Sequence, residues 1–461
     1  MRNRRTRPAL RRRTEVASGL AVLRGQSVKM FAPYVLKLAN LAEHSSDRRR
    51  AFDQTSISSA LDGEPSRMLR SLVDLGTRRE YGAFFTGSQL VGSLTERWTG
   101  EISSQSVIFD PACGGGDLLL AVARLLPVRD GLKETLDMWG TNLRGVDIHK
   151  EFVDSSKYRL ALQAMASGAK RERINRDGIL GFFPRVRQGN GLNAIDDLLI
   201  ATHIVTNPPF VPIQAPKDCN WTSGLVNSAA LFMDAISKHA SPGTRIWAIL
   251  PDVVRSGTRY HKWRQLVTSR LHDIRVTPIG QFSIHADVDV FVLEGVVRLH
   301  RSVEKDNTLL LDTPKDSPRV LGDLFTVRVG PVVPHRHPSE GIPIPYLTPH
   351  NCPAWKRVTH IDKYRGFNGT LYNPPFVVLR RTSRADDPFR AIGTIVTDKR
   401  PTAVENHLIV LIPNSGGIDD CRTMIRILKS QSTNDWLNQR ICCRHLTVSA
   451  VRSIPWNLDT K

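Results

Sequence analysis

With 461 residues, 41% of them hydrophobic and 23% charged, the chain can bury a real core and divide into two or three domains. Composition sets several classes aside. No stretch approaches the roughly 18 uninterrupted apolar residues of a membrane helix, the N-terminus lacks the apolar centre of a secretory signal, and Cys113, Cys219, Cys352, Cys421, Cys442 and Cys443 form neither C-x-x-C pairs nor a zinc-like spacing. A soluble cytoplasmic protein without membrane partner, disulfide framework or metal is the expectation. The net charge of +20 lies at both ends: residues 1–100 carry 18 basic and 9 acidic side chains, residues 101–300 carry 23 and 20, and residues 301–461 carry 23 and 15. Basic flanks around a balanced middle suit a small-molecule site between surfaces for a polyanion.

Residues 1–30 open with "MRNRRTRPALRRR", seven arginines and little to bury, and are expected to be disordered. They read either as a DNA-contacting arm or as sequence upstream of a true start at Met30. Residues 31–75 read as helical, broken near "LDGEPS" by turn residues. From residue 106 short apolar runs alternate with helical patterns. The predicted strands are 106–110, 143–148, 185–189, 203–207, 245–250, 273–279 and 288–297, and amphipathic helices are predicted at 117–126, 150–166, 228–240 and 259–271. That alternation predicts an α/β, doubly wound, mostly parallel sheet over residues 76–300, whose ligands bind outside the carboxyl ends of its strands. Beyond residue 300, proline- and histidine-rich stretches such as "GPVVPHRHPSEGIPIP" predict a smaller, irregular C-terminal domain, 301–461.

Three strand ends carry chemistry. "FDPACGGGDLLLAVARLL" (109–126) places Asp110 at the end of a strand, ahead of a turn of three glycines and a helix. Such a turn lets main chain approach a ligand and offers free N–H groups, yet it has neither the phosphate-loop lysine nor the G-x-G-x-x-G spacing. "GVDI" ends the next strand with Asp147, where a ribose is gripped in doubly wound folds. "HIVTNPPF" ends the fourth with Asn207, Pro208, Pro209 and Phe210; the same four letters recur at 373–376, where they lead into a strand instead of ending one, and there an extended Pro-Pro segment suffices. The first copy suits attack by an exocyclic nucleobase amine. If the Asn207 side-chain oxygen and the Pro208 carbonyl each accept one amine hydrogen, the nitrogen lone pair leaves the ring for in-line attack, and proline's fixed φ holds its carbonyl rigid. Phe210 offers a face to an extruded base, worth on the order of 1 to 3 kcal/mol, against the few kcal/mol spent on flipping. No general base of shifted pKa is required.

These motifs resemble the S-adenosylmethionine-dependent adenine-N6 DNA methyltransferases of restriction-modification systems, in the gamma arrangement, over roughly residues 75–300 and more weakly to the C-terminus. The resemblance implies a Rossmann-like seven-stranded methyltransferase sheet with a helical N-terminal extension and a C-terminal target-recognition domain. "YGAFFTGSQLVGSL" is similar to the family's first cofactor motif, which puts Thr86 near the methionine moiety. "DPACGGGDLL" is similar to its glycine motif, with Asp110 and Gly114 at the methionine end. Asp147 matches the ribose-binding acid, and Ala112, Ile148, Asn190 and Asn207 complete the implied cofactor-binding set. Asn207, Pro208, Pro209 and Phe210 match the catalytic tetrad. "GQFSIHADVDVFVLE" is similar to the late motif whose aromatic, here Phe282, packs on the flipped adenine, and "WLNQRICCRHLTVSAVRSIPW" to the segment closing target recognition. The sequence departs from the pattern at Gly87, Gly115 and Asn190, the last a neutral amide where an aspartate commonly binds the cofactor's adenine.

The implied partners are double-stranded DNA and a separate cognate restriction endonuclease, since no nuclease constellation is apparent in the chain. Competing readings are a methyltransferase for RNA or a protein glutamine with the same tetrad, and a catalytically silent DNA-binding subunit. The 161 residues after position 300 and their basic balance favour an appended DNA reader. Arg380, Arg381 and Arg384 are candidates for contacts to bases or phosphates, or for a solvated face.

Overall fold

The computed structural model describes residues 30–81, 86, 88–283, 286–299, 319–383, 387–440 and 446–456. The basic arm therefore lies outside the described residues, as do Gly87, Arg384, Cys442 and Cys443.

Among the described residues five helices precede the first strand: α1 (Ala32–Ser46), α2 (Gln54–Leu61), α3 (Glu64–Leu72), α4 (Leu75–Tyr81) and α5 (Ser88–Trp98). The break at "LDGEPS" is a real one, because Gly63 takes a left-handed φ of 76° and Pro65 sits in the first turn of α3. Then come β1 (Ile108–Asp110), α6 (Asp117–Ala123), α7 (Leu132–Asn142), β2 (Leu143–Asp147), α8 (Lys150–Ala166), α9 (Arg176–Gly181), β3 (Val186–Gln188), α10 (Ile195–Ile200) and β4 (His203–Thr206). The chain continues through a small hairpin, β5 (Pro212–Gln214) and β6 (Leu225–Asn227), to α11 (Ser228–His239), β7 (Arg245–Pro251), α12 (Asp252–Ser256), α13 (His261–Arg270), β8 (Leu271–Ser283) and β9 (Ala286–Val297).

All seven predicted strands form one sheet in the order β3-β2-β1-β4-β7-β9-β8, with β9 running antiparallel to both its neighbours and the other pairs parallel. The doubly wound, mostly parallel α/β expectation holds. Each central strand is buried on both faces, as Ile108, Phe109, Ile204, Val205 and Ile246 show, which is why these segments read as unbroken apolar runs. From β1 the chain steps outward through β2 to β3, then returns to β4 on the other side of β1. The order reverses between β1 and β4, the switch point at whose carboxyl ends doubly wound sheets bind their ligands.

One helix departs from expectation. The segment 150–166 forms α8, but it is not amphipathic: Phe152, Val153, Tyr158, Leu160, Leu162 and Met165 are all buried. The reason is that α1 packs along the side of α8 that a doubly wound fold leaves to solvent, with the rings of Phe31 and Phe152 5.3 Å apart. Phe31, Tyr34, Leu38, Ile57 and Leu69 thereby join one core with α6, α7 and α8.

After residue 319 come α14 (Leu321–Leu324), β10 (Phe325–Val329), β11 (Pro343–Leu347), β12 (Arg357–Val358), β13 (Tyr364–Gly366), β14 (Phe376–Arg380), β15 (Gly393–Val396), β16 (Ala403–Val404), β17 (Leu408–Pro413), α15 (Ile418–Leu428), α16 (Gln431–Arg440) and α17 (Val448–Arg452). Five of these strands pair as β10-β17-β14-β15-β12 and three as β13-β11-β16. Short strands in long irregular connections match the expectation for this region. Arg380 and Arg381 are half-buried and donate to the Cys352 and Asn406 carbonyls at 3.1 and 3.4 Å. They brace this unit from within, and neither is a freely solvated side chain.

Candidate active site at the sheet's carboxyl edge

Because β1 to β4 are parallel, their last residues share one edge, and the spatial order along it is Asn190, Asp147, Asp110, Asn207. Four positions spread over 98 residues of chain are thus brought side by side.

Asp110 is 1% exposed and accepts from the Ala112 amide at 3.0 Å. Burial pushes its carboxyl up to about 8, opposed by that hydrogen bond and reinforced by the Asp147 charge. Asp147 accepts from the Gly114 and His149 amides at 3.1 and 2.8 Å; it is half-buried, and desolvation raises its carboxyl to about 6 against those two bonds. Both acids hold protons more tightly than the usual 3.8 because burial disfavours their charged forms. A cationic ligand would offset that with opposite charge, and a hydroxyl-bearing one with hydrogen bonds. Ile148, next in sequence, is 57% exposed beside them, an apolar face where a planar group can lie.

The glycine turn lies between. Gly114 and Gly116 take φ of 50° and 89°, values that disfavour other residues. Asn190 follows β3 and is exposed, but its side-chain oxygen accepts from the Leu192 amide at 3.0 Å, capping the short turn Gly191–Asn193. One acceptor lone pair is thus committed. Gly191 lets this segment close on the motif, since a Cβ there would sit 1.8 Å from the Pro111 carbonyl oxygen.

On the other side of β1, Asn207 directly follows β4. Its amide nitrogen donates to the Thr86 hydroxyl at 3.1 Å. Thr86 is buried and reaches the turn at 207–210. The carbonyls of the turn are divided. Pro209 accepts from the Ser228 hydroxyl and Phe210 from the Asn227 amide at 3.4 Å, whereas the Pro208 carbonyl has no partner among the described residues. Phe210 is partly buried and meets Phe282 edge to face, centroids 6.0 Å apart and planes at 78°. The late motif therefore brings its aromatic to the tetrad; Ile284 and His285 of that motif lie outside the described residues.

The clamp on the turn was not legible as such. Ser228 also accepts from the Val211 amide at 3.2 Å, Asn227 caps α11 by accepting from Ala229 at 3.0 Å, and the Asn227 amide donates to the Tyr260 hydroxyl at 3.0 Å. The signal that could have revealed it is "VNSAALF", an N-cap asparagine ahead of an apolar helix.

The second copy differs at every point. Asn373 is exposed, Phe376 is fully buried at the start of β14, and Tyr372 bridges to Thr402.

The seven-stranded sheet with one antiparallel strand is that of the S-adenosylmethionine-dependent methyltransferase fold, and its switch point has two acids and a glycine turn on one side and Asn-Pro-Pro-Phe on the other. Residues 75–254 match the sequence model of the family N-6 DNA Methylase, and the chain carries a domain of that family. It is 23% identical over 251 residues to the type II methyltransferase M.BanIII of Aneurinibacillus aneurinilyticus, covering 50% of this chain and 40% of that protein. The match thus spans less than half of that relative's length. Among solved structures, the type IIL restriction-modification enzyme MmeI in complex with DNA superposes with a TM-score of 0.55 at 13% identity, covering 85% of this chain and 70% of that one. The type IIG restriction endonuclease BpuSI gives 0.42 at 13% identity, covering 85% and 61%. At these identities the likeness concerns the fold. Among the described residues no helix is long and apolar enough to cross a membrane.

Proposed function

We propose that this protein is a site-specific DNA methyltransferase that moves a methyl group from S-adenosylmethionine to N6 of an adenine flipped out of double-stranded DNA, as the modification component of a restriction-modification system. The observation that carries the reading is the division of labour in the catalytic turn. Asn207 has its amide nitrogen engaged by Thr86, and of three successive carbonyls two are claimed by α11 and its cap while that of Pro208 is not. One amide oxygen and one rigid main-chain oxygen are the two acceptors an exocyclic amine needs for its lone pair to leave the ring. Phe210 and Phe282, set edge to face, provide walls for the extruded base.

The residues across the switch point suit S-adenosylmethionine. Asp110 would receive its ammonium group, Asp147 its ribose hydroxyls, Ile148 its adenine face, and Ala112, Gly114 and Asn190 would complete the wall. When bound, the cofactor supplies an electrophilic methyl group on a sulfonium. The chain's own part is to orient the amine, exclude water with the two rings, and leave the amine proton to solvent after transfer. The raised acids sit on the cofactor side of the edge, so neither is needed as a general base. Residues 76–300 are the proposed catalytic domain, 301–461 the DNA reader, and a separate cognate endonuclease the proposed partner. Expression in a host lacking DNA methylation, followed by long-read detection of modified bases, tests the proposal. One adenine-centred motif is expected, and unmodified DNA or a mark confined to cytosine would refute it.

A further inference from the structure

The side of the glycine turn away from the ligand carries a second set of contacts. Ser156 and Arg159 lie three residues apart on α8 and so share one face of it. The Ser156 hydroxyl donates to the Gly114 carbonyl at 2.9 Å, and the Arg159 guanidinium donates to the next carbonyl, that of Gly115. Arg159 is 1% exposed; it also bonds the Asp117 carboxylate at 2.8 Å, in the first turn of α6, and the Ala60 carbonyl at 2.8 Å, in α2. A buried cation is retained only where its donors are met, and here the partners come from the glycine turn, the helix after it and the N-terminal helices. The packing is close: a Cβ on Gly116 would stand 2.8 Å from the Ser156 hydroxyl oxygen.

In a trans peptide the carbonyl and the following N–H point opposite ways. Holding the Gly114 carbonyl toward α8 therefore turns the Gly115 N–H away from α8, and that N–H has no partner among the described residues.

We propose that Ser156 and Arg159 are positioning residues of the cofactor site, which fix the glycine turn from behind so that the Gly115 N–H faces the cofactor, and that Arg159 makes the N-terminal helices a working part of that site through Ala60. This rests on the cofactor reading above.

The test uses the full chain, with S-adenosylhomocysteine binding followed by calorimetry, DNA binding without cofactor by fluorescence anisotropy, and steady-state methyl transfer. Arg159→Met is expected to weaken S-adenosylhomocysteine binding about tenfold or more, as loss of hydrogen bonds from a charged donor implies. The KM for S-adenosylmethionine should rise in parallel, with kcat at saturation and DNA affinity both within about threefold of wild type. Arg159→Lys should recover part of the loss. Ser156→Ala, the milder change, should cost about threefold and keeps the question open to measurement if Arg159→Met does not fold. Unchanged ligand affinity in the folded variants would overturn the proposal, and so would equal losses in ligand and DNA binding, the mark of a merely structural role. Failure of the wild-type chain to bind S-adenosylhomocysteine at all would instead sink the reading on which it rests.

Discussion

The two Asn-Pro-Pro-Phe segments are the same four letters in two environments, and the difference shows what makes such a segment a candidate for chemistry. At 207–210 the tetrad follows a central parallel strand at the sheet's switch point, with Asp110 at the end of the neighbouring strand, Asp147 at the end of the next one, and Phe282 facing Phe210. At 373–376 it introduces β14, so its asparagine faces solvent and its ring is spent on the core beside Tyr372. Position on the sheet, not composition, assigns the role.

That comparison breaks first at the asparagines. Asn207→Ala is expected to lower the initial rate of methyl transfer by about a hundredfold or more, the scale for removing one preorganised hydrogen-bonding group, with DNA binding retained in anisotropy. Asn373→Ala should leave the rate within about twofold, as expected of an exposed side chain. The rings should then separate activity from stability. Phe210→Ala should cost roughly tenfold to a hundredfold in kcat/KM through lost stacking, on the order of 1 to 3 kcal/mol, with little change in denaturant midpoint. Phe376→Ala should do the reverse, destabilising the C-terminal unit by about 3 to 5 kcal/mol in chemical unfolding. Ser228→Ala, which releases the Pro209 carbonyl, sharpens the comparison further, because among the described residues no side chain holds the Pro375 carbonyl of the second copy in this way; kcat should fall by about fivefold to tenfold.

The smallest effect concerns pH. In the free protein Asp110 and Asp147 keep their protons up to about 8 and about 6. A cofactor that needs them ionised must displace those protons, so S-adenosylmethionine affinity measured by calorimetry should rise between pH 6 and 8 and level off above. Since both folded-state values lie above the usual carboxylate value, the stability these groups lend the free protein is complete below about 4 and is lost as pH rises through their folded values. Melting scans should show that decline, and Asp110→Asn should remove its larger part. A flat affinity profile would contradict the assignment of Asp110.

Much of this was legible in the sequence, for identifiable reasons. The central strands are buried on both faces and so read as apolar runs, periodicity locates their carboxyl ends, and the motifs mark which of those ends belong to the candidate site. The helical break at Gly63 and the strand-leading role of the second tetrad were legible from turn residues. The hairpin β5–β6 was not, since "PIQ" and "LVN" are too short and polar to signal strands. Arg159 was hidden differently: on an isolated helix it reads as a solvated side chain, and only the packing of α1 and α2 over α8 turns it inward. Asn190 was read as an acceptor for the cofactor, but a local cap already draws on its oxygen.

The central claim is that the turn at 207–210 delivers a methyl group to an adenine amine. It is tested most directly by incubating the purified chain and its Asn207→Ala variant with duplex DNA and S-adenosylmethionine, then separating the nucleosides by mass spectrometry. The account predicts N6-methyladenine from wild type and none above background from the variant. Equal yields from the two proteins, or a methylated base other than adenine, would contradict it.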